Sequence, residues 1–242
     1  MSRAGAVLAV VGLRREARIA APARALVGGG QAAKLAADLE SELAKGVDGV
    51  ISFGLCGALA PGLKPGDLVL GESVIFAGER FDADRDWTAR LASKLPGARI
   101  GPLAHAQGPV ATPSDKAALR TTTDAIAVDM ESGLAARLAF ANDIPFVALR
   151  AVSDAADRAL APAAQVGLGP DGRPALGAVM ASLIAQPSQI AALIRTALEA
   201  EAAFRNLAAA RRRLAADFAR LSASPARIGV SADRPAGASP PP

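Results

Sequence analysis

Short apolar runs alternate with helical segments along this sequence, and no other feature limits the fold as strongly. Six runs have the length and composition of buried strands: 6–11, 24–30, 48–54, 66–76, 125–128 and 145–154. Helical patterns stand between them, most clearly at 31–46, where Gly46 closes the segment, and at 131–142. Alternation of this kind predicts an α/β protein whose sheet carries helices on both faces.

Residues that could bind a ligand or take part in a reaction lie at the ends of the predicted strands. Polar residues and glycines follow several strands: Glu16, Gly28–Gly30, Gly54–Gly57, Asp129, Glu131, Ser153 and Asp154. Ligands of α/β sheets bind beyond the carboxyl ends of the strands. We therefore expect a binding site at this edge, built from segments that are distant in sequence.

Composition excludes several classes of site. The chain has 242 residues, 51% of them apolar, which is enough for a large folded domain with an aliphatic core. The single cysteine, Cys56, excludes an internal disulfide and a multi-cysteine metal site. The single histidine, His105, excludes a cluster of histidine ligands and is expected to be structural. We expect no metal and no organic cofactor.

The positive charge is unevenly distributed. The formal net charge is +4, and residues 190–242 carry eight arginines and four acids, so the whole excess lies there. The body lacks the basic face with stacking aromatics that nucleic-acid binding requires, and no nucleic-acid partner is expected. No apolar run reaches the roughly 18–20 residues of a membrane span. We expect a cytoplasmic protein.

The C-terminal region has its own pattern. After a loop-like segment at 167–174, residues recur three and four positions apart in a stripe: Ile190, Leu193, Ala197, Ala200, Phe204, Leu207, Arg211, Leu214, Phe218 and Leu221. We predict a main α/β domain at 1–186, a long amphipathic helix at 187–222 and a disordered tail at 223–242. The helix either docks on its own domain or on a partner subunit, or rests on a membrane surface.

Two carboxylates bracket one methionine in "IAVDMESGLAARLA", where a strand passes into a helix. Glu131 can simply complement the helix dipole, worth about 0.3–1 kcal/mol, and Asp129 can be a cap. Alternatively, a carboxylate at a strand end accepts hydrogen bonds from vicinal sugar hydroxyls and adds negative charge where a sugar cation forms. Two acids around Met130 favour this second interpretation.

Asp154 and Glu16 can each be interpreted either as structural residues or as residues of the site. Asp154 ends a strand in "RAVSDAAD" and either caps the next turn or acts as a general acid towards a base nitrogen. Glu16 follows the first strand in "GLRREARI" and, taken alone, is expected to form a salt bridge with Arg14 or Arg15.

Two glycine-rich segments are candidates for close approach to a ligand. "GLCGALAPGLKPGDLVL" (54–70) predicts a turn, either a plain one or one whose N–H groups face a ligand. "VGGGQ" (27–31) at a helix start is a weaker candidate for anion binding. Cys56 in the first segment is expected to be a small buried filler rather than a nucleophile.

Taken together, three motifs resemble those of the nucleoside phosphorylase/nucleosidase superfamily. They are "GLCGALAPGLKPGDLVL", "AVDMES" and "LRAVSDAAD", in the family's order, within roughly residues 5–160. The resemblance implies a three-layer αβα fold around a central mixed sheet. It also implies cleavage of the bond between a base and a ribose.

The resemblance also implies roles for individual residues. Glu131 would hold the ribose hydroxyls, Met130 would pack on the sugar, and Asp129 would support the turn. Asp154 would protonate or hydrogen-bond the purine N7, with Ser153 beside it and Gly57 in the same substrate site. Glu16 matches the residue that activates water in nucleosidases.

A phosphate site is the other possibility that the resemblance implies. Arg14 and Arg15 lie where an arginine holds phosphate in the phosphorylase branch, and Gly29 could assist. Phosphate is therefore a possible co-substrate. Leu55 and Cys56, however, stand where relatives often place a small polar residue. Glu16 favours hydrolysis, and phosphorolysis stays open.

Within the superfamily, the chain is most similar to phosphorylase-like proteins associated with bacterial hopanoid biosynthesis. The features are "AVDMES", "ADRALAPAA", "GLGPDGRP" and the C-terminal helical extension. That similarity implies loss of adenine from adenosylhopane, and the family favours homodimers. The alternatives are a methylthioadenosine/S-adenosylhomocysteine nucleosidase, a purine nucleoside phosphorylase, or a non-catalytic nucleoside-binding scaffold.

Overall fold

The structure is a computed structural model that describes residues 6–160, 162 and 176–219. Eight strands form one sheet: β1 (Val7–Val11), β2 (Arg24–Val27), β3 (Gly49–Ala58), β4 (Leu68–Phe76), β5 (Glu79–Asp82), β6 (Arg99–His105), β7 (Ala127–Asp129) and β8 (Phe146–Asp154). Seven helices are described: α1 (Arg14–Ala20), α2 (Ala32–Ala44), α3 (Arg85–Lys94), α4 (Pro113–Thr123), α5 (Ser132–Ala141), α6 (Leu176–Ala185) and α7 (Ile190–Ala219).

The sheet is mixed and closes on itself. β3 pairs with β8, β8 with β4, β4 with β6, β6 with β7, and β7 returns to the end of β3. β1 and β2 extend the sheet from β3, and β5 extends it from β4. One core lies between the sheet and α2 and α5, and a second lies between the sheet and α1, α3 and α7. The predicted α/β fold with a central mixed sheet is confirmed.

The strand β3 is longer than the sequence predicted. The sequence predicted a strand over 48–54 followed by a glycine turn, but the strand continues through the glycines to Ala58. The extension pairs with β8 as far as Gly57, after an irregularity at Cys56, and then with β7. Its glycines leave room for charged side chains from α1 and β8, so the segment is a strand that borders a polar site.

Four elements between residues 79 and 123 were not predicted: β5, α3, β6 and α4. For α4 the reason is clear, because Lys116 is its only buried residue. Without an apolar stripe, the usual sequence signal for an amphipathic helix is missing.

The C-terminal helix α7 docks on the body over its second half. Phe204, Leu207, Leu214 and Phe218 are buried in the core that also contains α1 and α3. Arg211 donates hydrogen bonds to the carbonyls of Ala20 and Ala21 at the end of α1, at 3.2 and 3.1 Å. The predicted stripe is therefore an intramolecular contact from Phe204 onwards.

The first half of α7 and the preceding α6 present apolar side chains to solvent. The exposed large residues are Met180, Ile184, Ile190, Ile194 and Leu198. Among the described helices, none combines the length and the apolar character needed to cross a membrane. The predicted loop at 167–174, Leu221 and the predicted tail at 223–242 lie outside the described residues.

Candidate active site

Buried polar side chains gather where β1, β3, β7 and β8 meet. Seven of them lie in this region: Glu16, Ser52, Asp129, Glu131, Ser132, Arg150 and Asp154. We call Glu16, Asp129, Glu131 and Arg150 the carboxylate cluster. Burial of charge is costly unless the charges are paired and hydrogen-bonded, so such a concentration indicates a functional site.

Glu16 is held by backbone N–H groups. Its Oε2 accepts hydrogen bonds from the N–H groups of Gly12 and Leu13, both at 2.8 Å, and its Oε1 accepts one from Leu55, also at 2.8 Å. Burial raises the pKa of Glu16, although the Arg150 guanidinium and these N–H groups oppose the rise. The carboxyl is thus fixed in position at the junction of β1 and α1.

Glu131 turns back from the start of α5 towards β1. It makes no side-chain capping bond to its own helix. Its Oε2 accepts a hydrogen bond from Arg150 Nη1 at 3.4 Å. Burial raises the pKa of Glu131 to about 8, with the Arg150 guanidinium opposing the rise and the nearby acids Asp129 and Glu16 adding to it. Burial and the neighbouring acids thus favour the protonated carboxyl of Glu131, where the sequence led us to expect an ionised group.

Asp129 supports the turn between β7 and α5. Its Oδ1 accepts hydrogen bonds from the N–H groups of Glu131 at 3.0 Å and Ser132 at 2.7 Å. Its Oδ2 lies 3.0 Å from Arg150 Nε. Asp129 therefore takes the capping role that Glu131 does not, and it fixes the direction in which Glu131 points.

Glycines make room for these side chains. A Cβ on Gly12 would lie 2.8 Å from Glu131 Oε1, and a Cβ on Gly54 would lie 2.6 Å from Glu16 Oε1. The Gly54 Cβ would also lie 2.8 Å from Arg150 Nη1. Distances under 3.0 Å are not tolerated without movement, so both glycines are needed for the cluster to form as it stands.

Asp154 lies at the end of β8, beside the same strand β3. A Cβ on Gly57 would approach its Oδ2 to 3.1 Å. Its Oδ1 accepts a hydrogen bond from the Ser153 hydroxyl at 2.7 Å, and its Oδ2 accepts one from Lys116 Nζ at 2.5 Å. The structure thus brings together three predicted residues, Gly57, Ser153 and Asp154, and adds a lysine that the sequence did not indicate.

Cys56 joins the two parts of the site. Burial raises the pKa of its thiol well above the ordinary value, and Arg150, Asp129, Asp154 and Glu16 all act on it electrostatically. These charged groups therefore surround one buried position on β3. The thiol stays protonated, which agrees with a filler role for Cys56 and argues against nucleophilic catalysis.

A small hollow opens beside Glu131. It has a volume of about 10 Å³, and its lining includes Gly30, Gln31, His105, Met130 and Glu131. Nδ1 of His105 accepts a hydrogen bond from the Gly133 N–H at 3.3 Å, and burial lowers the pKa of this imidazole. The hollow places Met130 and Glu131 together, but it is smaller than the roughly 300–1,000 Å³ of typical ligand pockets. A nucleoside would have to open it.

A larger cavity lies beside the turn that follows Asp154. Its volume is about 920 Å³, and it lies between α4, the 59–65 loop and the Ala155–Arg158 turn. Lys64 and Arg120 are among the charged residues that border it. None of the members of the carboxylate cluster lines this cavity, so it is distinct from the hollow beside Glu131.

The expected phosphate residues do not converge on the carboxylate cluster. Arg15 forms a two-pronged contact with Glu201 of α7, at 2.5 and 2.7 Å, and its guanidinium stacks on the Phe204 ring. The N–H of Gly29 donates to the Gly12 carbonyl at 3.0 Å and is unavailable to an anion. Arg14 is exposed at the start of α1. Arg15 therefore pairs with Glu201 rather than with Glu16, and the phosphate role of Arg14, Arg15 and Gly29 stays a prediction.

Two central residues, Arg150 and Lys116, were missed from the sequence. Arg150 was visible as a lone charge inside the apolar strand "FVALRAV", where an unpaired guanidinium would be very costly. Lys116 had no such signal, because α4 has a polar sequence in which a lysine is expected to be exposed.

The fold and this site define an α/β protein with a buried acidic site at the strand ends. The chain belongs to the phosphorylase superfamily, whose family model matches residues 7–198. No curated protein sequence matches the chain.

Solved structures of nucleosidases share the fold. S-adenosylhomocysteine nucleosidase from Streptococcus pyogenes, bound to 5-methylthiotubericidin, is 18% identical, covers 82% of this chain and 98% of its own, and has a TM-score of 0.55. The 5'-methylthioadenosine/S-adenosylhomocysteine nucleosidase from Neisseria meningitidis, bound to methylthio-immucillin-A, is 21% identical, covers 88% and 97%, and has a TM-score of 0.58. Futalosine hydrolase from Helicobacter pylori is 17% identical, covers 84% and 96%, and has a TM-score of 0.54.

Proposed function

We propose that this protein hydrolyses the N-glycosidic bond of an adenosyl compound and releases adenine. The observation that carries the proposal is the carboxylate cluster, in which three carboxyls are buried around Arg150 at the strand ends. Cleavage of this bond passes through an oxocarbenium-like state, which needs negative charge near the sugar and a proton for the departing base. The named substrates of the structural neighbours, methylthioadenosine and S-adenosylhomocysteine, are of the same chemical class.

Each acid has a distinct part in the proposed reaction. Glu131 binds the two vicinal ribose hydroxyls, and its raised pKa lets the neutral carboxyl donate to one hydroxyl while it accepts from the other. Met130 packs against the sugar. Asp154, held by Ser153, hydrogen-bonds and protonates the purine N7. Glu16 accepts the proton of the attacking water, and its fixed position orients that water.

The charge of the cluster favours water over phosphate as the attacking group. Three carboxyl groups already surround the single guanidinium of Arg150, so a phosphate dianion would find that cation engaged. Arg15 is engaged with Glu201 in the same way. We therefore propose hydrolysis, with phosphorolysis as the competing reaction.

For the substrate, we propose adenosylhopane, and methylthioadenosine or S-adenosylhomocysteine as the second candidate. The motif resemblance supports the first, and so do the exposed apolar side chains of α6 and α7, which suit a lipid substrate. The names of the structural neighbours support the second. We also propose a homodimer and contact of α6 and α7 with a lipid surface.

The test of the proposed reaction uses the purified protein with adenosylhopane and with methylthioadenosine, each with and without phosphate. Liquid chromatography with mass spectrometry identifies free adenine and the sugar product. Hydrolysis gives the free sugar in both buffers, whereas phosphorolysis gives the sugar 1-phosphate and stops without phosphate. If neither substrate yields adenine in any buffer, the proposal is wrong.

The test of lipid contact uses cosedimentation with vesicles that contain anionic lipid. We expect the wild type to bind and Ile194→Glu to bind more weakly, because the charge would have to enter the acyl region. Arg205→Glu in the second half of the helix separates this effect from a general loss of positive charge. Equal binding of wild type and Ile194→Glu would contradict lipid contact through this face.

A further inference from the structure

Lys116 is a buried lysine whose only ionic partner among the described residues is Asp154. Its side chain is about 1% exposed, and Nζ lies 2.5 Å from Asp154 Oδ2. A helix that otherwise faces solvent thus sends one long cationic side chain inward, to the acid that the proposed reaction uses for the leaving base. Burial of a lysine costs several kcal/mol unless it is well paired, so the contact with Asp154 is what holds Nζ inside the protein.

The ammonium is fully hydrogen-bonded. Besides Asp154, Nζ donates to the carbonyls of Ala155 at 2.8 Å and Arg158 at 3.0 Å. Its three hydrogens therefore have three acceptors. The same lysine fixes the carboxyl of Asp154 and the turn that follows it, which forms one wall of the larger cavity.

The contact between Lys116 and Asp154 offers a source for the proton that the leaving base takes. A carboxylate that is to protonate a departing base must first receive a proton itself. Two side chains donate to Asp154 in the described part of the chain, the Ser153 hydroxyl and the Lys116 ammonium, and only Lys116 is cationic. Transfer of a proton from Lys116 to Asp154 removes two opposite buried charges. It also keeps every hydrogen bond, because a neutral amine retains two N–H donors for the carbonyls and accepts from the new O–H with its lone pair.

We propose that Lys116 is a positioning residue for the proposed adenine release, and that it supplies through Asp154 the proton that the leaving purine takes. This inference rests on the proposed function.

The Nζ–H bond of Lys116 breaks as the Oδ2–H bond of Asp154 forms. The Asp154 O–H bond then breaks as the N7–H bond of the purine forms, while the electrons of the bond between C1' and N9 move into the base. Asp154 returns to the carboxylate, while the oxygen of the attacking water forms the new bond to C1' and its proton passes to Glu16. After the products leave, Glu16 releases this proton to solvent and Lys116 takes one from solvent, so both groups return to their starting states.

The experiment is a double-mutant cycle on kcat for adenine release, with Lys116→Met, Asp154→Asn and the double variant. We expect Lys116→Met to lower kcat by about 10²-fold with little change in KM, since the pair acts when the bond breaks. The double variant should be no slower than Asp154→Asn within about twofold, because both changes interrupt the same proton path. Lys116→Arg keeps the charge and the hydrogen-bond donors, but a guanidinium does not give up its proton in a protein, so this variant should stay about as slow as Lys116→Met.

Controls separate this role from loss of structure. Lys64→Met removes an exposed lysine at the rim of the larger cavity and should leave kcat unchanged. Thermal unfolding of every variant shows whether it is folded at the assay temperature. A structural role for Lys116 predicts losses that multiply in the double variant.

The outcomes distinguish the two proposals. If the wild type releases no adenine, the proposed function fails and this inference fails with it. If the wild type is active but folded Lys116→Met retains normal kcat, or if the losses multiply, only the role of Lys116 is wrong. Non-multiplying losses without recovery by arginine support it, whereas recovery by arginine would show that the charge of Lys116 matters and its proton does not.

Discussion

Arg150 Nε lies 3.0 Å from Asp129 Oδ2, and both side chains are about 1% exposed. The N–H of this nitrogen has no well-directed hydrogen-bond partner, so the contact is chiefly electrostatic. The other guanidinium nitrogens donate to Ser132, Glu131 and the Leu55 carbonyl, at 3.1, 3.4 and 3.3 Å. One cation thus holds together acids that come from separate parts of the chain.

Arg150→Met should destabilise the protein by about 3–5 kcal/mol, because it leaves buried carboxylates without their cation. Arg80→Met is the matched control, since Arg80 also contacts two carboxylates but is about half exposed. Its cost should be below about 1 kcal/mol. Denaturant unfolding at pH 7 measures both, and equal losses would show that the burial of Arg150 is not what matters.

The free energy of unfolding should depend on pH through Glu131. Its pKa rises from 4.5 to about 8 on folding, so the folded state binds the proton more tightly than the unfolded state. The associated stability is fully present below about pH 4.5 and is lost as pH rises to about 8, with a slope of at most about 1.4 kcal/mol per pH unit.

Comparison of the wild type with Glu131→Gln isolates this contribution. The glutamine variant cannot ionise at position 131, so its stability should fall less than that of the wild type between pH 5 and pH 8. Denaturant unfolding at several pH values in this range measures the difference. Parallel curves for the two proteins would show that Glu131 does not titrate in this range.

Asp154→Asn should lower kcat for adenine release by about 10²–10⁴-fold while the protein stays folded. The amide oxygen can still accept a hydrogen bond from Lys116, but the side chain no longer carries a proton to the base. Asp157→Asn is the control, since Asp157 is exposed in the following turn. Near-normal turnover of the Asp154 variant in a steady-state adenine assay would exclude Asp154 as the acid.

Gly54→Ala should impair both stability and activity, because its Cβ would lie 2.6 Å from Glu16 and 2.8 Å from Arg150. We expect a loss of about 1–3 kcal/mol, typical of overpacking, and a larger loss of kcat/KM. Gly97→Ala, where no atom lies within 4 Å of the new Cβ, should behave like the wild type. Thermal unfolding and kinetics on both variants test this, and a fully active Gly54→Ala would mean that the cluster tolerates displacement.

The features of the fold and the site that depend on local sequence patterns could be predicted. The alternation of apolar runs and helical segments predicted the α/β fold, and the positions of Glu16, Glu131 and Asp154 after strands predicted that they belong to one site. Those acids are visible because polar residues interrupt apolar runs, and the edge of the sheet brings strand ends together.

The partners of these acids depend on contacts between distant segments. Lys116 meets Asp154 across 38 residues, and Arg15 meets Glu201 across 186. Neither contact leaves a periodic signal in the sequence. The protonation of Glu131 likewise follows from burial and from the other acids around it, which only the folded arrangement defines.

The most direct measurement of the central claim is a crystal structure of the protein with a non-cleavable adenosyl analogue. We predict that the hollow beside Met130 widens to admit the ribose. Glu131 should then lie within about 2.6–3.2 Å of the ribose hydroxyls, and Asp154 at a similar distance from the purine N7. An analogue bound instead in the cavity between α4 and the 59–65 loop, away from Glu131 and Glu16, would contradict it.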